Sequence, residues 1–222
     1  MAVITISRQS GSGGDAIAAQ LCKRLGFAYF DKRLMAQVAH EAGLSKQEIV
    51  DYSDDSYKVR SFLERLVGRR RDSFMADEIG SWADEGIGIM TKEVTAWDEV
   101  RSINLVQDTI LAAYKHDRVV IVGRGGQAIL KDKPGVLHVR VEAPMPLRVE
   151  RIRAHQQIDL ESAEEMLSER DRAAAHYLKR FYHIEWAEPL LYDLVINTKQ
   201  LGIEAAANLI VSAVGYLSPG SA

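Results

Sequence analysis

The chain has 222 residues, 47% of them hydrophobic and 27% charged, with a formal net charge of −3. That is ordinary globular composition, enough for one compact domain carrying an insertion and short for two independent cores. The slight acidity argues against a general nucleic-acid or membrane-surface binder. Cys22 is the single cysteine, which excludes an intrachain disulfide and a cysteine-built zinc site.

The N-terminal Met-Ala-Val-Ile-Thr-Ile reads as the start of a strand rather than a signal peptide. No run approaches the roughly 20 apolar residues of a membrane span, so the cytoplasm is the expected location. Five short β-branched or aromatic runs follow in chain order: Val3–Ile6, Phe27–Phe30, Val119–Val122, Val136–Val141 and Leu194–Ile196. Most are continuously apolar, the pattern of parallel strands buried on both faces. Helical patterns lie between them. Ile17, Leu21 and Leu25 repeat every four residues before a stop at Gly26, and Asp98–Tyr114, Pro146–His155, Ser162–Tyr182 and Ile203–Tyr216 also read as helices. Alternation of this kind predicts an α/β fold, a parallel sheet covered on both faces. The long charged interval at about 32–115 reads as a helical insertion, and about 155–190 as a lid. The core then comprises about 1–31, 116–154 and 191–222.

The first strand runs into Ser7-Arg8-Gln9-Ser10-Gly11-Ser12-Gly13-Gly14-Asp15, and a helix begins at once. Glycines allow a tight turn with inward N–H groups, and the helix N-terminus adds partial positive charge. Together they form a phosphate cradle built from Ser10, Gly11, Ser12, Gly13, Gly14 and Asp15. The alternative is a glycine-rich turn without a ligand. The lysine of the usual P-loop falls on Gly14, and its hydroxyl residue on Asp15 or Ala16. A positive φ is one candidate reason for glycine at 14. Asp15 should repel phosphate unless Mg²⁺ or an arginine intervenes. Arg8 flanks the loop and is the candidate replacement for the lysine, with a fork suited to phosphate oxygens. Arg124 ends the third strand among Gly123, Gly125 and Gly126. Arg148 and Arg151 share a helix face.

These features resemble cytidylate kinase across most of the chain. Thr5–Asp31 matches its strand, loop, helix and strand. Val120-Ile121-Val122-Gly123-Arg124-Gly125 resembles its strand ending in Gly-Arg-Asp. Glu169-Arg170-Asp171-Arg172 resembles the opening of its arginine-rich lid, and Asp193–Thr198 its last core strand. Ser-Arg-Gln, Gly-Ser-Gly-Gly and Val-Gly-Arg-Gly are closer to the cytidylate kinase-like branch with a lysine-less loop. The resemblance implies a P-loop NTPase-type three-layer sandwich with a five-stranded parallel sheet. It also implies ATP and Mg²⁺ as cofactors, nucleotides as partners and CMP or dCMP as the acceptor. By the same resemblance Arg124 contacts the acceptor, Arg148 and Arg151 line the donor phosphates, and Arg170 and Arg172 close the site. Ser12 and Asp15 are the candidate Mg²⁺ residues, although neither matches a standard ligand position. The acceptor arginine is sought near Asp31, at Arg33, with Gln37 at the ungapped position. Where the family has its aspartate this chain has Gly125. Two other readings stay open: a non-catalytic nucleotide or phosphate sensor, and a small-molecule kinase with a different acceptor. Tyr177, Phe181, Tyr182 and Trp186 read as packing or as a homodimer face.

Overall fold

The computed structural model describes residues 2–30 and 96–217. Asp31, Lys32, Arg33, Gln37 and the arginines at 69–71, with most of the expected insertion, lie outside the described residues. In chain order the elements are β1 (Val3–Arg8), α1 (Gly14–Leu25), β2 (Ala28–Tyr29), α2 (Ala96–His116), β3 (Val119–Val122), α3 (Gly126–Ile129), β4 (Val136–Glu142), α4 (Met145–Gln156), α5 (Leu160–Tyr182), β5 (Leu194–Asn197) and α6 (Gly202–Val214). The strands form one five-stranded sheet in the order β2-β3-β1-β4-β5, and every pairing is parallel. No helix among the described residues is long and apolar enough to cross a membrane.

The alternation of β1 explains the layers. Ile4 and Ile6 face one side, where they join Val120, Val139 and Val141 in a core closed by Ile17 and Leu21 of α1 and by Ala207 and Ile210 of α6. Val3 faces the other side and packs with Ile121 and Leu130 against Ile110 of α2. β1 lies between β3 and β4, and the connection from β1 runs to β2 on one side while that from β3 runs to β4 on the other. That reversal opens a crevice at the carboxyl ends of the central strands.

Boundaries move where local chemistry was not visible in the apolar runs. β1 continues through Ser7 and Arg8, which pair in register with Arg140 and Val141. α5 begins at Leu160 because Asp159 caps it, accepting from Ser162 N at 2.9 Å and from Ser162 Oγ at 2.7 Å. The short α3 was not expected. It starts from Gly125, whose φ of 73° suits a glycine N-cap.

On the α2 side of the sheet, towards the site, the core turns polar. Thr5 Oγ1 lies 2.7 Å from His138 Nδ1. Trp186 Nε1 donates to Ser7 Oγ at 2.7 Å. The buried Arg140 guanidinium sits 4.5 Å from the Trp186 ring centroid and 5.6 Å from that of Tyr192, and its Nε donates to Glu142 at 2.5 Å. This cluster fastens the segment after α5 to β1 and β4. The expected aromatic stretch is therefore packing at Trp186. Removing that ring deletes the packing and leaves Ser7 Oγ with only the longer bond from the Tyr192 hydroxyl, at 3.3 Å. Trp186→Ala should lower unfolding free energy by about 3–5 kcal/mol, read from urea melts.

Burial holds His138 below its ordinary 6.5, with Asp193 pulling the other way. The folded state therefore favours the neutral ring, and below about pH 6.5 the unfolded chain takes up the proton first. This contribution to stability is present above the unfolded pKa and is lost as pH falls towards the folded value. The urea midpoint should fall between pH 7.5 and 5.5, and fall less in His138→Gln.

Candidate functional site

The loop from Gln9 to Gly13 closes the crevice over β1. Its tight turn comes from Gly11 and Gly13, at φ of 75° and 92°. Both glycines are also pressed against neighbours. A Cβ on Gly11 would lie 3.0 Å from the Arg148 carbonyl oxygen, and one on Gly13 would lie 3.1 Å from Ile203. Gly13 caps α1 with no side-chain acceptor, so the first N–H groups of that helix face the loop interior.

Gly14 is helical, and its reason is steric rather than a positive φ. A Cβ there would stand 2.6 Å from Arg8 Cβ and 2.8 Å from Arg8 Cγ. The Arg8 side chain passes over Gly14 and reaches Gly123, where a Cβ would meet Arg8 Nη1 at 2.6 Å. On its way Arg8 Nε donates to Asp15 Oδ1 at 3.3 Å. The acidic residue at the cradle mouth thus has the arginine its position required, and its side chain stays 67% exposed.

Arg148 and Arg151 share the face that meets the loop. Arg148 Nη1 donates to the Ser10 carbonyl at 3.2 Å and to Asp171 Oδ2 at 2.6 Å. Arg151 Nη1 donates to the Ser12 carbonyl at 2.9 Å and to Thr198 Oγ1 at 2.9 Å. Asp171 also accepts the Ser10 N–H at 3.2 Å, and Arg170 Nη1 lies 3.4 Å from Ser10 Oγ. Two buried side-chain atoms among the described residues have no hydrogen-bond partner, Ser12 Oγ and Arg148 Nε. Both belong to the loop and its clamp. A buried polar atom without a partner calls for a ligand, an ion or a water.

The second wall is the turn after β3. Gly123, Arg124 and Gly125 all have positive φ, at 70°, 59° and 73°. Arg124 lies 5.5 Å from the Phe30 ring centroid. Tyr182, at the end of α5, covers Gly125 so closely that a Cβ there would stand 2.5 Å from its ring.

The profile of the cytidylate kinase-like family matches residues 3–200. The chain belongs to that family. Cytidylate kinase of Methanopyrus kandleri is 22% identical over 97% of this chain and 94% of its own length. That of Thermococcus sibiricus is 25% identical over 98% of this chain and 90% of its own length. A crystal structure of an uncharacterised protein from Eubacterium ventriosum has 18% sequence identity and a TM-score of 0.62, covering 97% of this chain and 99% of that chain. That likeness shows the fold, and the family makes this chain a kinase-like phosphotransferase.

Within this cytidylate kinase-like architecture, Arg8, Arg148, Arg151 and Arg170 all reach the loop. Arg124 sits in the turn after β3, beside Gly123, where the far end of Arg8 lies. Arg172 does not join them: it is exposed and lies two residues along α5 from Arg170, on another face. Arg148 and Arg151 grip carbonyls of the loop, a contact that helix-face arguments alone did not supply. Sequence reasoning also missed Thr198 and Arg140. Each sits inside a strand-like run where a polar residue is the only local signal.

The two demands on residue 14 can be compared. Alanine would gain up to about 1 kcal/mol of helix propensity over glycine. Forcing a methyl against a strand-borne Cβ costs about 1–3 kcal/mol, so the clash wins. Gly14→Ala should lower the melting temperature. Gly14→Lys should not be rescued by Arg8→Ala, since alanine keeps the offending Cβ. Melts of the three variants check this, and a stabilised Gly14→Ala would show that Arg8 does not lie there.

Proposed function

We propose that the protein transfers the γ-phosphate of ATP to a nucleoside monophosphate, with CMP or dCMP as the acceptor. The observation that carries this reading is the pair of unpartnered buried atoms, Ser12 Oγ and Arg148 Nε, at a glycine loop ringed by arginines. Backbone N–H groups at the start of α1 bind the donor phosphates. Arg151 holds the loop open by its carbonyls. Arg8 supplies the positive charge that a lysine at position 14 would otherwise bring, and Arg170 approaches from the lid. Arg124 orients the acceptor phosphate from the far wall.

Phosphoryl transfer is mostly positioning and charge neutralisation, and Mg²⁺ entering with the donor nucleotide would supply part of that charge. The residues present fit such an ion. Among the described residues no three acidic, histidine or cysteine side chains form a cage, so phosphates and water supply most of its ligands, as is usual for Mg²⁺. Ser12 Oγ is the protein oxygen available to hold it, and Asp15 acts through water while paired with Arg8.

A sensor that binds nucleotide without turnover is the second reading, favoured by the missing side chain at Gly14. Release of ADP from Mg²⁺-ATP across CMP, dCMP, UMP, AMP and GMP separates the two. Ligand at about a hundred times its Kd should stabilise the fold by about 2.7 kcal/mol, so ATP should raise the melting temperature on either reading. Flat melts across millimolar ATP and CMP would remove both.

Arg8→Ala should cut kcat by about 10²–10³, as for a lost preorganised donor, with a smaller change in ATP binding. A sensor would lose binding alone. Arg124→Asn keeps a residue tolerant of positive φ while removing the guanidinium. It should weaken acceptor use by about 1.5–3 kcal/mol and leave ATP binding unchanged, as steady-state kinetics would show.

A further inference from the structure

We infer that Tyr182 is a specificity-determining residue: its ring forms the acceptor-side wall that residue 125, being glycine, leaves unbuilt. This rests on the kinase reading of the site. At Gly125 a Cβ would stand 2.5 Å from Tyr182 Cε2 and 2.9 Å from Cζ. The first atoms of any side chain at 125 would therefore overlap the ring. Gly125 follows directly on Arg124, so whatever touches that guanidinium from the β3 side also meets this aromatic surface.

The ring is held, not loosely draped. Tyr182 Oη lies 3.3 Å from Tyr177 Oη, and the two ring centroids are 5.7 Å apart, edge to face. Gln107 of α2 reaches the same hydroxyl. Below the ring, His183 ends α5 in a left-handed cap, and Trp186 pins the following segment to Ser7. A wall fixed on three sides can select by shape, because a pocket that cannot relax penalises the wrong group.

The selectivity runs by size and stacking. An aromatic face offers a planar base or sugar edge a stacking partner, where a carboxylate would offer a hydrogen-bond acceptor. Removing the ring would open space over Gly125 and leave the glycine loop untouched, about three helical turns away along α5. Discrimination between one-ring and two-ring bases should then collapse, while the donor end keeps its geometry.

The experiment compares wild type, Tyr182→Phe and Tyr182→Ala across CMP, dCMP, UMP, AMP and GMP at saturating Mg²⁺-ATP. Tyr182→Ala should lower kcat/KM for the preferred monophosphate by about tenfold or more and narrow the spread between pyrimidine and purine acceptors. The KM for ATP should stay within about twofold, and Tyr182→Phe should keep the wild-type order of acceptors. An unchanged acceptor profile in Tyr182→Ala overturns the inference. So does an equal loss at the ATP and acceptor ends, which would make Tyr182 a strut. Gly125→Ala approaches the contact from the other side and covers the case of a misfolded Tyr182→Ala. It should shift the same acceptor constants, and a change confined to ATP would count against the wall. Wild type without turnover on any monophosphate removes the kinase reading and this inference together, whereas wild type turnover with an unmoved profile removes this inference alone.

Discussion

The site depends on one steric fact: the side chain of Arg8 crosses position 14, which must be glycine for it to do so, and its far end lies against Gly123. Arg8 is the last residue of β1, paired in register with Val141, so its Cβ is fixed by the sheet and cannot retreat. A lysine at 14 and this arginine path exclude each other. The unusual loop thus pairs a glycine at the head of the helix with an arginine at the end of the strand. An arginine anchored at a strand end is confined at its base. Asp15 fits the same arrangement. On an isolated loop it would oppose an anion, but beside Arg8 it steadies the guanidinium.

A second constraint joins the two walls of the crevice. Asp171 and Tyr182 are eleven residues apart on α5, close to three turns, and so lie on one face of one rigid helix. At one end Asp171 meets Ser10 N–H and Arg148. At the other end Tyr182 covers Gly125. The Arg148–Asp171 pair has side chains only 5% and 19% exposed. Stripping water from such a pair offsets much of its Coulomb attraction, while removing one member strands the other. It therefore sets the register of α5 over the loop more than it adds to stability. Trp186, stacked by Arg140 and bonded to Ser7, prevents the helix end from lifting.

Much of this architecture was legible in the sequence. Short apolar runs located all five strands: β1, β3 and β4 are buried in the middle of the sheet, whereas the edge strands β2 and β5 are partly exposed and were marked by β-branched and aromatic residues. Glycine spacing located the loop, because this tight strand-to-helix turn needs positive φ at 11 and 13. What stayed hidden depended on side-chain paths. That Gly14 answers a clash with Arg8, and not a backbone angle, requires knowing that β1 runs on to residue 8. Two polar residues, Ser7 and Arg8, concealed that extension. The pairing of Gly125 with Tyr182 joins residues far apart in the chain through a helix whose docking no periodicity specifies. Arg148 and Arg151 were placed correctly on one face, but their carbonyl partners could not be inferred from charge alone.

Those carbonyl contacts alter how the loop's charge works. An arginine pointed at a phosphate acts by direct contact. Arg151 instead donates to the backbone oxygen of Ser12, with Gly11 O at a longer 3.4 Å. Drawing electron density towards a carbonyl oxygen polarises its peptide unit, and the N–H on the other side becomes a stronger donor. The N–H across the Ser12 carbonyl is that of Gly13, at the mouth of α1, where the helix already contributes partial positive charge. Arg151 can therefore strengthen the cradle without entering it, and Thr198 fixes its aim from β5's end. This route through the Ser12 peptide is separate from the path of Arg8, which crosses Gly14 and ends at Gly123.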